Sequence, residues 1–263
     1  MEFFDSHSHY NDEQFNEDRE DLIKQTYNEG ITKLICAGYD IESSKLSLEI
    51  SKKYDFIYSI CGISPNDVPE SIDDIDKQIE DLEEIIINDK KGEKKIVAIG
   101  EIGFDYHWNT ENKEIQYKMF IKQIELANKY NLPIVIHTRE AVDDTLRVLR
   151  ENPVSKNGVF HCCPLNRELV RQGLELGFYI SFAGPITFKN SKNAEEIVQM
   201  VPIEKALIET DSPYLSPEPK RGRRNDSRNV KYVAEKIAAF KGLKLEDVAL
   251  ITYNNAKKIF GII

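Results

Sequence analysis

Eight short apolar runs rich in β-formers recur along the chain, each followed by a polar turn and then an amphipathic stretch. The expected strands are residues 2–6, 33–37, 56–61, 96–100, 133–136, 158–160, 178–182 and 206–208. Helical periodicity fills 13–29, 43–54, 73–89, 111–130, 142–151, 167–176 and 191–200, and two further helices, 229–240 and 245–260, follow the last strand. Strands that alternate strictly with helices must run parallel, because a parallel neighbour needs a crossover to return the chain. Eight such units in 263 residues give the arithmetic of a (β/α)₈ TIM barrel, an α/β fold with an additional C-terminal helix. An open doubly wound sheet is the alternative, although it usually needs fewer strands. Asp73 is expected to cap a helix start and Gly30 to end one in a left-handed conformation. With no repeat, low-complexity tract or linker in view, residues 1–263 read as one domain.

Composition narrows the class. Hydrophobic residues at 41% support a sizeable core, and no stretch approaches the roughly 18 uninterrupted apolar residues of a membrane span. No cationic start leads into an apolar run, so a cytoplasmic, soluble, monomeric protein is expected. Cys36, Cys61, Cys162 and Cys163 form no C-x-x-C pair and read as reduced, buried thiols. A net charge of −10 argues against non-specific coating of nucleic acid but permits a local grip on a few phosphates. The segment 216–228 offers one, with Lys220, Arg221, Arg223, Arg224 and Arg228 set against only Glu218 and Asp226.

All five histidines fall at or just beyond an expected strand end. His7 and His9 follow the first strand in Asp5-Ser6-His7-Ser8-His9, and side chains two apart in an extended segment point the same way. Glu101 follows the fourth strand, His137 the fifth, His161 the sixth and Asp211 the eighth, while His107 lies just past the fourth. Each alone reads more simply as a hydrogen-bonded rim residue or a turn. Together they bring imidazoles and carboxylates to one rim, where a cation would offset the cost of gathering acidic groups.

At these positions the sequence resembles the TatD family of metal-dependent deoxyribonucleases, within the wider amidohydrolase-type barrels. The matching segments are D-S-H-S-H at 5–9, G-E-I-G-F-D-Y-H-W at 100–108, P-I-V-I-H-T-R-E-A at 133–141 and F-H-C at 160–162. They continue with F-A-G-P-I-T-F-K at 182–189, E-T-D-S-P-Y-L at 209–215 and R-G-R-R-N at 221–225, so the likeness covers essentially the whole chain. The resemblance implies two divalent metal ions: one held by His7, His9, Glu101 and Asp211, the other by Glu101, His137 and His161, with Glu101 bridging. Ligand chemistry leaves magnesium, manganese, zinc, nickel and cobalt open. Two departures stand out. Ser64 occupies the place of a histidine that in the family is thought to contact substrate, and Cys163 stands where phenylalanine is common.

The function implied is hydrolysis of DNA phosphodiesters, general or directed to 3′ ends, with Asp211 as general base and Glu101 between the two ions. Arg139, Lys189, Arg221 and Arg223 are candidate phosphate contacts, Ser64 and His107 candidate substrate contacts, and Tyr106, His107 and Trp108 could stack on an exposed base. Two other classes stay open: a small-molecule esterase, lactonase or amidase, or an aminoacyl-tRNA deacylase, on the same metals; and a metal-stabilised binding module without turnover.

Overall fold

In the computed structural model, which describes residues 1–108 and 110–263, eight parallel strands form one sheet in sequential order. They are β1 (Phe3–Ser8), β2 (Ile31–Ala37), β3 (Ile57–Cys61), β4 (Ile96–Asp105), β5 (Ile134–Arg139), β6 (Gly158–Phe160), β7 (Tyr179–Phe182) and β8 (Ala206–Ile208). Between them run α1 (Arg19–Asn28), α2 (Ile41–Lys53), α3 (Ile75–Lys90), α4 (Lys113–Tyr130), α5 (Val142–Glu151), α6 (Arg167–Glu175) and α7 (Ala194–Met200). After β8 come α8 (Val230–Lys241) and α9 (Leu245–Phe260). The ring closes just past β8: Asp211 N–H donates to the His7 carbonyl at 2.9 Å and His9 N–H to the Ser212 carbonyl at 2.7 Å. Among the described residues, no helix is long and apolar enough to cross a membrane.

Strand alternation sorts the apolar side chains into two layers. Ile134, Ile136, Phe160, Ile180, Phe182, Ala206 and Ile208 pack outward in the large core shared with the helices. Their neighbours Val135, Val159, Tyr179 and Leu207 join Phe4, Ile35, Ile60 and Ala98 in a second cluster that fills the cylinder. The end of α9 completes this inner cluster: Phe260 and Ile262 pack into it, and the Phe4 and Phe260 rings lie 6.4 Å apart.

Several boundaries differ from the sequence expectation for identifiable reasons. β1, β4 and β5 run past their apolar stretches into the polar residues that line the mouth, because backbone pairing continues there: Phe104 is paired with Thr138 and Asp105 with Arg139. The single helix expected over 13–29 is interrupted. Asp12 caps a short 3₁₀ turn at Glu13–Phe15, and the α-helix begins only at Arg19. Asp73 is not the cap of its helix. Ser71 caps the preceding 3₁₀ turn by accepting from Asp73 N–H, and α3 starts two residues after Asp73. Gly30 does take a positive φ of 95° after α1, as expected.

Candidate metal centre

The inward parity that places apolar residues inside the cylinder also places the polar ones at its mouth. His137 has the parity of Val135, His161 that of Val159, and Glu209 and Asp211 that of Leu207. In β1 and β4 the simple alternation would point the wrong way: Phe4 and Ala98 face inward, so His7, His9 and Glu101 should face out. Both strands carry a register shift at the necessary point, between Asp5 and Ser8 in one and between Gly100 and Ile102 in the other. A bulge of this kind reverses the parity beyond it and re-aims the side chains. Gly103 permits the tight pairing that follows. A Cβ there would lie 2.1 Å from the His137 carbonyl oxygen, and its φ is +138°.

Six donor groups consequently meet. His7 Nε2 lies 3.2 Å from His9 Nε2, 3.5 Å from Glu101 Oε2 and 3.8 Å from Asp211 Oδ1, and His9 Nε2 lies 3.2 Å from Asp211 Oδ1. On the other side, Glu101 Oε2 is 2.9 Å from His161 Nε2 and 3.9 Å from His137 Nδ1, and those two imidazole nitrogens are 3.2 Å apart. Glu101 therefore stands between two groups, one with His7, His9 and Asp211 and one with His137 and His161. His7, His9, Asp211 and His7, Glu101, His161 are each clustered tightly enough to hold one ion.

The groups behind the ring set its tautomers. His9 Nδ1 lies 3.0 Å from the Ala37 carbonyl, so it carries the hydrogen and leaves the Nε2 lone pair facing the centre. His137 Nε2 lies 3.0 Å from Asp105 Oδ2, which by the same logic turns the Nδ1 lone pair inward. His161 Nδ1 is 3.4 Å from Glu209 Oε1, and that oxygen also accepts Cys162 N–H. His7 Nδ1 and His161 Nδ1 are both fully buried with no hydrogen-bond partner, the Glu209 carboxylate approaching the latter only as a neighbouring charge. Imidazole nitrogens facing each other at 3.2 Å beside carboxylates, with an orphaned ring nitrogen behind them, make a donor set that fits divalent cations.

The electrostatics show how strongly the groups depend on one another. Burial opposes ionisation of Glu101, but His161, His7 and His137 outweigh it and hold the carboxyl well below its usual range. Burial likewise opposes, and His9 outweighs, in lowering Asp211. Burial would neutralise His161, yet Glu101 and Glu209 raise it well above an ordinary histidine. His7 shifts the other way, lowered by burial and by the neighbouring His161, so the imidazoles and carboxylates of the centre set one another's charge.

Comparison with known proteins places the chain among metal-dependent hydrolases. The family model described as TatD related DNase matches residues 4–261. The chain is 42% identical over 260 residues to the metal-dependent hydrolase YabD of Bacillus subtilis, covering 98% of this chain and 99% of that protein. The chain belongs to the TatD-related DNase family. Another relative, the metal-dependent hydrolase YcfH of Escherichia coli K12, is 34% identical, with 100% of this chain and 97% of its own length covered. Among solved structures, the TatD homologue YJJV of Escherichia coli K12 superposes with a TM-score of 0.89 at 22% identity, covering 99% of this chain and 98% of its own.

Around the mouth of this TatD-family barrel the remaining candidate residues divide. Arg139, at the end of β5, lies over the exposed Trp108 ring at 5.3 Å, and Arg221 over Phe188 at 3.7 Å. Lys189, Arg221 and Arg223 are exposed, and none of these cations is in an ion pair among the described residues. Arg224 and Arg228, by contrast, are engaged in structure: Arg224 pairs with Asp18, and Arg228 with Asp226 and Glu29. His107 pairs with Glu140 at 2.7 Å, outside the six-residue cluster. Ser64, just past β3, is buried, and its hydroxyl donates to Asp67.

Three further residues matter that the sequence reading quoted within motifs without giving them a role. Asp105 backs His137, Glu209 stands behind His161, and Asp5 accepts from the Thr210 N–H and from the Thr210 and Ser227 hydroxyls, tying β1 to the segment after β8. Glu209 had a readable signal, since it shares parity with Leu207 and Asp211.

Proposed function

We propose that this chain is a metal-dependent hydrolase that cleaves phosphodiester bonds in DNA, working on single strands or frayed ends. The observation that carries this reading is that the six-donor centre lies at the end of the barrel from which the segments carrying Arg139, Lys189, Arg221 and Arg223 leave β5, β7 and β8, and that these cations have no ion pair among the described residues. An ester or amide substrate without charge would leave Arg139, Lys189, Arg221 and Arg223 with nothing to neutralise.

His7, His9, Glu101 and Asp211 would hold one divalent ion, and Glu101, His137 and His161 a second. When bound, such ions acidify water and neutralise charge developing on phosphate oxygens. The protein's own part is to orient and to move a proton. Ala37 and Asp105 fix the tautomers of His9 and His137, so that both present lone pairs. Asp211 is the group suited to take a proton at Oδ. It is ionised, its side chain keeps 14% exposure at the mouth, and its backbone N–H is pinned to His7. The rim guanidinium groups would place two phosphate oxygens each.

The test is direct. Purified protein with magnesium or manganese shortens single-stranded DNA, chelator stops it, and Asp211→Asn reduces the rate by at least about a thousand-fold, the scale of a lost general base together with a weakened ligand. Undiminished activity in chelator, or in Asp211→Asn, would refute the proposal.

A further inference from the structure

Trp108 is the chain's only tryptophan, and at 70% it is more exposed than the other exposed aromatic rings, Tyr27 and Tyr214. An exposed indole presents a large, rigid apolar face with a polar edge, suited to contact with another flat ring. Its setting is built rather than loose. Trp108 N–H donates to Asp105 Oδ1 at 3.2 Å, and the other oxygen of that carboxylate accepts from His137. The platform is therefore tethered to the same side chain that orients the metal-centre histidine.

The neighbours define what the ring can receive. The Arg139 guanidinium lies over it at 5.3 Å, and the His107 ring stands edge-on at 4.8 Å and 83°. Arg139 is two residues beyond His137 on β5, so both side chains leave the same face of the strand. His107 is committed to Glu140, whereas Arg139 has no ion pair among the described residues. A flat exposed π-surface beside an unneutralised guanidinium matches a planar heteroaromatic ring carried next to a phosphate.

We infer that Trp108 and Arg139 form a subsite for one unpaired nucleobase and its adjoining phosphate, which makes the enzyme select strands whose end bases are free to unstack. This rests on the phosphodiester reading above and adds to it the basis of strand preference. A base inside a duplex has both faces occupied and could reach the indole only after fraying.

The single tryptophan supplies its own probe. Trp108 fluorescence is titrated in chelator with a short oligodeoxythymidylate and with its abasic counterpart, which has the same sugar–phosphate backbone and no bases. The base-bearing strand should quench the emission and bind roughly ten-fold more tightly than the abasic one, as stacking of one base provides. Fluorescence anisotropy of labelled strands extends the comparison to Trp108→Ala and Trp108→Phe. The alanine variant should bring the affinity ratio close to one, and the phenylalanine variant should keep part of it. An exposed side chain is replaced in both, so folding is checked simply by an unchanged melting temperature. Equal binding of the two strands by the wild type, or an undiminished ratio in Trp108→Ala, overturns the subsite while leaving DNA hydrolysis intact. Failure of either strand to bind, with no hydrolysis of DNA, overturns the phosphodiester reading and the subsite with it.

Discussion

Replacing Asp105 by asparagine tests whether the metal centre is governed from behind. In the native arrangement Asp105 Oδ2 faces two donors, His137 Nε2 at 3.0 Å and Asn66 Nδ2 at 3.3 Å, while Oδ1 accepts the N–H groups of His107 and Trp108 at 2.9 and 3.2 Å. Asparagine can keep only one acceptor. If its oxygen serves the two backbone N–H groups, its amide nitrogen faces His137 and forces the imidazole proton onto Nδ1, which then points into the centre in place of a lone pair. The lost charge-assisted bond is worth roughly 1.5–3 kcal/mol, which corresponds to a ten- to hundred-fold weaker hold on the metal. Calorimetric titration of chelator-stripped protein with manganese or zinc would read this as a rise in Kd. In a His137→Gln background, the same Asp105→Asn change should cost little more, because the two act as one unit. A wild-type Kd for Asp105→Asn, or full additivity with His137→Gln, would refute the reasoning.

Two other outcomes follow from residues placed above. Neutralising Arg221 and Arg223 together should flatten the salt dependence of DNA binding by about one in slope for each phosphate left without its cation, whereas Arg224→Gln, which loses contacts within the protein to Asp18, the Gln14 carbonyl and the Phe15 ring, should leave the slope unchanged; equilibrium binding across a salt series decides between them. Asp5 gives a pH signature: burial drives its carboxyl up to about 7 despite hydrogen bonds from Ser227 and Thr210 that favour the charged form. The unfolded chain then ionises before the folded one, so the contribution of Asp5 to stability is full below about pH 4 and is lost as pH rises through 7. Urea midpoints of chelated protein should fall over that window and flatten in Asp5→Asn.

Much of the architecture could be read from the chain because barrel strands and helices repeat local patterns. Helix α5 over Val142–Glu151 and strands β6 and β8 fall where the periodicity puts them. The reading stopped short where strands leave the apolar core: His7-Ser8 and Glu101-Ile102-Gly103-Phe104-Asp105 are polar or mixed, yet they belong to β1 and β4. Histidines at strand ends were visible because all five obeyed one rule. The carboxylate behind His137 was not, because Asp105 gains its role only from a partner 32 residues away, and the inward parity of Glu209 did not by itself name His161 as its neighbour. The basic segment shows the same limit. Nothing local separates Arg221 from Arg224, and the distinction comes from Asp18, 206 residues earlier in the chain.

The inner cluster that ends in Phe260 and Ile262 makes the cylinder a vessel with a sealed floor. Water, substrate and products of a hydrolase built this way would share one doorway. A product that lingered there would block its successor, so turnover would be set by how readily the rim lets go as much as by the bond cleavage itself.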